Sequence, residues 1–137
     1  TMDLKLLHEL FPIEVMDYFI ISGFQMLCRV ENKTEYWVIE FEEKNELPNG
    51  YPVIEYESKG FMASKLIQDF PLRGKPVFFR IKKRRWRHKQ TGAVIKRDFS
   101  FIADGSKFTK ELSDFLKDAG GYANRYHEQH SQLFWGE

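Results

Sequence analysis

The sequence predicts an α+β fold, an antiparallel sheet of about six strands with short N-terminal helices and one or two C-terminal helices. Three observations carry that reading. Apolar residues recur at helical spacing at both ends of the chain, β-branched and aromatic residues with two-residue alternation fill the middle, and Gly, Pro, Asn and Asp clusters cut the middle into short lengths. The 137 residues, 42% apolar, 16% aromatic and 30% charged, suffice for one buried core and are too aromatic for a disordered basic tail.

The first elements are helical. Apolar positions from Met2 to Phe11, with Asp3 as a cap, and from Pro12 to Phe19, with Pro12 opening the turn, predict two short helices. The period then changes to that of strands, Ile21 to Glu31 and Glu35 to Phe41, joined by the polar turn Glu31-Asn-Lys-Thr34. Glu43 to Gly50 is a loop by composition, and Tyr51 to Phe70 reads as two short strands interrupted at Ser58-Lys-Gly60. Pro71-Leu-Arg-Gly74 is a tight turn. Pro76 to His88 is a long strand, Lys89-Gln-Thr-Gly92 a hairpin loop, and Ala93 to Ile102 the return strand. The helical period returns over Lys107 to Ala119, where Phe108, Leu112, Phe115 and Leu116 share a face, Ser106 or Thr109 can cap, and Gly120-Gly121 stops the helix. A polar segment, Tyr122 to Trp135, ends in Leu133, Phe134 and Trp135. The organisation is therefore an α+β domain over residues 1–105, containing a basic hairpin at 71–97, and a C-terminal helical segment over 106–137.

The formal net charge of +1 conceals a dipolar chain. Between Pro71 and Arg97 there are 11 Lys or Arg residues and no acid, whereas residues 1–70 carry 6 bases against 13 acids and residues 98–137 carry 4 against 7. Cations this dense repel one another, and a surface built only for solubility would interleave acids. Their absence points to an external polyanion, nucleic acid first. The plainer alternative is a solvated hairpin paired with the acidic N-terminal half, or an edge strand protected by Lys and Arg. Alternation places Phe78, Arg80, Lys82, Arg84 and Trp86 on one face and Val77, Phe79 and Ile81 on the other, so the strand must leave the core near Lys83. Trp86 can stack on a base, or it can lie on the core side over Ile95 or Phe99.

Catalytic constellations are absent from the sequence, and a non-enzymatic protein without cofactor is expected. His127-Glu-Gln-His130 sets two imidazoles on one helical face without a third ligand, so no metal site is expected. The single cysteine, Cys28, sits in an apolar context and reads as a small buried hydrophobe. Glu40, Glu42, Glu43 and Glu46 read as a solvated acidic run. One cysteine, no secretory leader and no apolar run near ~18 residues predict a cytoplasmic protein without membrane insertion. Thr1 ahead of Met2 reads as a cloning remnant, with Met2 starting the natural chain.

Ser58-Lys-Gly-Phe61, Ile67-Gln-Asp-Phe-Pro-Leu-Arg-Gly-Lys75 and Ile81-Lys-Lys-Arg-Arg-Trp86 together resemble the transposase N-terminal region proteins of ISAon-type bacterial insertion sequences. The resemblance runs from Leu4 to Ala119 and includes Arg97-Asp98-Phe99 and Phe108 to Leu116. It implies a non-catalytic DNA-binding accessory or N-terminal module, recognition of terminal-repeat DNA, and a separately encoded catalytic transposase as partner. The related ISL-type proteins carry a cysteine-bearing zinc knuckle where this chain reads His88-Lys-Gln-Thr-Gly92, so no zinc ribbon is expected here. Within that frame Arg80, Lys82, Arg84 and Arg87 are phosphate contacts, Arg85 and Trp86 groove or base contacts, and Arg73, Lys75, Lys83, Lys89, Lys96 and Arg97 extend the patch. Rival readings are a module that docks the catalytic protein through the acidic sheet and the Leu133-Phe-Trp135 tail, and an RNA-binding protein. A homodimer is compatible with each.

Overall fold

A computed structural model of the chain describes residues 9–102 and 107–119. Pro12 opens helix α1 (Ile13–Tyr18): it has no N–H to leave unpaired, and its carbonyl accepts from Val15 N–H at 3.0 Å. The helix passes straight into β1 (Phe19–Cys28), which turns through Lys33, at φ 57°, into β2 (Glu35–Glu43). A 3-10 turn at Val53–Glu55 leads into β3 (Tyr56–Phe61), followed by β4 (Lys65–Leu72), β5 (Lys75–Lys82), β6 (Arg84–His88) and β7 (Val94–Lys96). Helix α2 (Lys110–Asp118) completes the described residues.

The α+β class is as the sequence predicts, but the strands form two sheets. One has the order β1-β2-β5-β4 and the other β3-β6-β7, seven strands among the described residues. One pair, β2 with β5, is parallel, against the expectation of a wholly antiparallel sheet. The cause is the β4–β5 hairpin. Arg73 and Gly74, both at positive φ (52° and 78°), reverse the chain tightly, so β5 runs antiparallel to β4 and enters beside β2 in the parallel sense. Alternation within a strand says which face is apolar and nothing about which neighbour it will meet.

One face of the four-stranded sheet carries the core. Phe41 and Phe79 meet edge to face at 5.2 Å, with Ile39, Ile67, Val77 and Ile81 beside them, covered by Val15 and Phe19 and by Phe99 and Phe101 from the segment after β7. Val77, Phe79 and Ile81 are thus on the apolar face, as alternation requires. The expected long strand from Pro76 to His88 breaks at Lys83, the single residue between β5 and β6, whose carbonyl accepts from Met62 N–H at 2.7 Å. The return strand is shorter than expected, because after Lys96 the chain leaves to deliver Phe99 and Phe101 to the core.

The two edges of the four-stranded sheet differ. Gln68 N–H donates to Lys107 O and Thr109 N–H to Gln68 O, so residues 107–109 cover β4, which is why α2 begins at Lys110 and not at Lys107. Thr109 caps α2 by accepting from Leu112 N–H (3.3 Å) while its hydroxyl donates to the buried Asp69 (2.9 Å). β1 lies at the opposite edge, exposed along most of its length. Cys28 is exposed there, and not the buried hydrophobe its context suggests. The expected first helix over Met2 to Phe11 lies largely outside the described residues. The Ser106 cap, the Gly120-Gly121 stop, His127, His130 and the Leu133-Phe-Trp135 tail lie wholly outside them.

Candidate nucleic-acid interface

The parallel register sets residue i of β2 beside residue i+40 of β5, so Glu40 lies next to Arg80 and Glu42 next to Lys82. Arg80 approaches Glu40 at 3.4 Å, Lys82 approaches Glu42 at 3.8 Å, and Lys75 approaches Glu35 at 3.8 Å. On its other side, toward β1, Glu40 covers Gly23, where a Cβ would collide with its carboxylate. These three cations, expected as contacts for an external anion, are neutralised by the acidic N-terminal half. They are solvent-exposed pairs, each worth about 0–1 kcal/mol.

Arg84 and Arg97 also turn inward. Arg84 N–H donates to Glu43 Oε1 at 2.9 Å, its guanidinium lies 4.5 Å above the Phe61 ring, and its Nη1 donates to Ser58 at 2.8 Å. Arg97 lies 4.3 Å above Tyr18, donates to Glu46 O at 2.7 Å, and sits 3.4 Å from Glu43 Oε2 as an ion pair without hydrogen-bond geometry. Glu43, 2% exposed, therefore ties the end of β2 to the start of β6 and to the residue that follows β7, at one end of the smaller sheet. Burial pushes its carboxyl above the ordinary value, and the Arg84 N–H and the Arg97 charge offset that only in part.

Trp86 is 1% exposed and cannot stack on a base. Its indole N–H donates to Asn45 Oδ1 at 2.8 Å, and it faces Ser58 and Ile95 across the sheet. Of the two positions open to Trp86 the core-side one, against Ile95, is the one observed, and its grouping with Phe78, Arg80 and Lys82 fails because face alternation counted from β5 does not continue into β6 past the break at Lys83. Arg87 grips Glu57 through Nε (3.0 Å) and Nη2, which holds the Glu57 carboxyl below its usual range. Lys96 pairs with Asp98 at 3.0 Å.

Besides Arg84, whose guanidinium is taken up by Glu43 O, Ser58 and the Phe61 ring, four of the predicted cations, Arg73, Lys83, Arg85 and Lys89, have no carboxylate within ion-pair distance among the described residues. Arg73 sits in the β4–β5 turn and Lys89 beyond β6. The other two lie where the chain crosses between sheets. Arg85 stands directly opposite Lys96 in the β6–β7 register, a like-charge cross-strand pair, and its buried Nε has no hydrogen-bond partner. Lys83 is pushed below the ordinary lysine pKa by burial first and by the charge of Lys96 next, with Lys65 adding to the effect; Asp98 and Glu43 oppose it. Lys65, at the start of β4 opposite Ile81, falls outside the basic stretch, and no sequence signal links it to the others.

On the core side of the larger sheet, α1, β1, β4 and α2 enclose an apolar groove of about 960 Å³ in which Phe24 stacks on Trp37 at 5.1 Å, with Phe70 and Leu72 on the far wall. Among the described residues no three His, Cys, Asp or Glu side chains gather as a metal site, and no helix is long and apolar enough to cross a membrane. No protein-family model, curated protein or solved structure matches the chain.

Proposed function

We propose that this protein is a non-catalytic DNA-binding module that holds the phosphate backbone at the crossing between its two sheets, through Lys65, Lys83, Arg85 and Lys96, with Arg73 and Lys89 as outlying contacts. The observation that carries the reading is the like-charge cluster itself. The protein pairs the β5 cations with β2 carboxylates yet sets Arg85 opposite Lys96 and Lys83 near Lys96 and Lys65, with Asp98, paired to Lys96, and Glu43 as the acids at hand; an entering anion would relieve this crowding. The resemblance to transposase N-terminal proteins supports a cytoplasmic module that works beside a separately encoded enzyme performing strand transfer, with terminal-repeat DNA as ligand.

Fluorescence anisotropy of labelled duplex DNA across a salt series tests the proposal. Combined Lys65→Gln, Lys83→Gln and Arg85→Gln substitution is expected to weaken binding by about tenfold or more per substituted cation, and to flatten the salt slope by about 0.9 for each phosphate no longer neutralised. An unchanged slope would overturn it, and preferential competition by single-stranded RNA would reassign the ligand.

The apolar groove favours a second reading, a docking module for the catalytic protein, since a cleft lined by Phe24, Trp37 and Phe70 is more than solubility requires. A complex with that protein that survives high salt, without DNA binding, would select it.

A further inference from the structure

Holding a phosphate and reading a base ask for different side chains. Phosphates are held by charge, whereas base edges are read by planar groups, arginine on guanine and asparagine or glutamine on adenine, and single strands by open aromatic faces. The basic stretch from Pro71 to Arg97 holds six arginines and one carboxamide, Gln90. Five of those arginines are engaged within the fold. Arg80 pairs with Glu40, and Arg87 is clamped on Glu57. Arg84 Nε donates to Glu43 O at 3.3 Å and its Nη1 to Ser58, while Arg97 Nη2 donates to Glu46 O at 2.7 Å. Arg85 buries Nε and directs Nη2 to Phe61 O at 3.5 Å, so its plane is set by the sheet while its charge remains. The sixth, Arg73, sits beyond the far end of β5, roughly 25 Å from Lys83 at ~3.3 Å per residue, and Gln90 lies past the far end of β6, in the hairpin loop. The neighbouring rings are engaged too: Trp86 is buried, and Phe61 and Tyr18 carry the Arg84 and Arg97 guanidinium groups on a face.

What the crossing offers an anion, among the described residues, is therefore the fixed charge of Arg85 and three lysines: Lys65, Lys83, and Lys96, which is paired with the exposed Asp98. Lysine is a point charge on a flexible stem, without a planar fork to match a base edge. Resting on the reading of the crossing as the DNA contact, we infer that it grips duplex DNA of any sequence, through phosphate charge alone. A duplex carries about one charge per 1.7 Å of its axis, twice the density of either strand taken alone, and clustered point charges answer to that density. A single strand brings fewer charges, and its unstacked bases find no open ring beside these lysines. Any choice among sequences then falls to a surface other than the crossing.

The test compares the full chain with its Lys65→Gln, Lys83→Gln, Arg85→Gln variant by anisotropy at one low salt concentration. The probes are A·T-rich, G·C-rich and mixed duplexes of equal length, and one strand of the mixed duplex. The loss of affinity in the variant is expected to agree within about fivefold across the three duplexes, less than one bidentate base contact contributes, and to be smaller on the single strand. Lys65→Gln alone, at the exposed start of β4, gives the same comparison if the triple variant fails to fold. A wider spread between duplexes overturns the inference, as does a loss on the single strand that equals the loss on the duplex. No loss on any duplex is a different failure: it overturns the crossing as the DNA contact.

Discussion

Along β5 and at the β5–β6 crossing, cations from one unbroken basic stretch meet opposite circumstances. On β5, Lys75, Arg80 and Lys82 lie beside Glu35, Glu40 and Glu42 and are taken up in ion pairs within the fold. A few residues later Arg85 stands opposite Lys96, and Lys83, partly desolvated, lies near Lys96 and Lys65 as well as Asp98 and Glu43. The difference teaches that the density of charge in a sequence is a poor guide to the field at a surface. The field is set by which strand lies alongside, and here that neighbour is acidic in one sheet and basic where the sheets meet.

The comparison can be broken at several points. The largest expected effect belongs to neither set of cations but to the face opposite them: Phe79→Ala should cost about 3–5 kcal/mol in urea unfolding, since Phe79 is fully buried against Phe41 and Phe11. Slightly smaller, about 3 kcal/mol, is the expected cost of Glu43→Ala, which strips the acceptor from Arg84 N–H and the counter-charge from Arg97 inside the junction.

Glu43→Gln should be milder and should reveal the pH dependence. The folded-state pKa of Glu43 lies above its ordinary 4.5, so between those values the folded chain binds more protons than the unfolded chain. Wild-type stability relative to Glu43→Gln is therefore expected to fall as pH rises from about 4.5 through the folded pKa, and to level off above it. A rise over that window would show that the arginines outweigh burial.

Removing the β5 ladder as Lys75→Gln, Arg80→Gln and Lys82→Gln should cost at most about 1 kcal/mol per pair and leave the salt slope of DNA binding nearly unchanged. A loss of slope equal to that of the crossing variant would erase the distinction between the two groups. The smallest effect is the most diagnostic. Lys83→Met is expected to stabilise the fold by up to about 1 kcal/mol at neutral pH, because a charged ammonium is disfavoured there, while weakening polyanion binding. Its depressed pKa means the cost is full below the folded pKa and gone above the ordinary 10.5, so the gain should vanish at high pH.

Local chemistry was legible in the sequence wherever one segment sufficed to decide it. Pro12 opening α1, Thr109 capping α2, the Arg73-Gly74 reversal, and the apolar face of Val77, Phe79 and Ile81 all follow from φ preferences, hydrogen-bonding capacity and a two-residue period within a few positions. The departure of the strand from the core near Lys83 was legible too, because Lys83, Arg85 and Arg87 at alternate positions cannot continue the apolar face of Val77, Phe79 and Ile81. What only the tertiary structure decided are matters of neighbourhood. The parallel entry of β5 beside β2 commits three predicted contacts to carboxylates 40 residues away, the turn of β6 buries Trp86 against Asn45, and the β4 register brings Lys65 to Lys83. Alternation and composition are properties of one strand, whereas a field, a buried indole or an open edge is a property of strands set side by side, and that placement depends on the whole core closing at once.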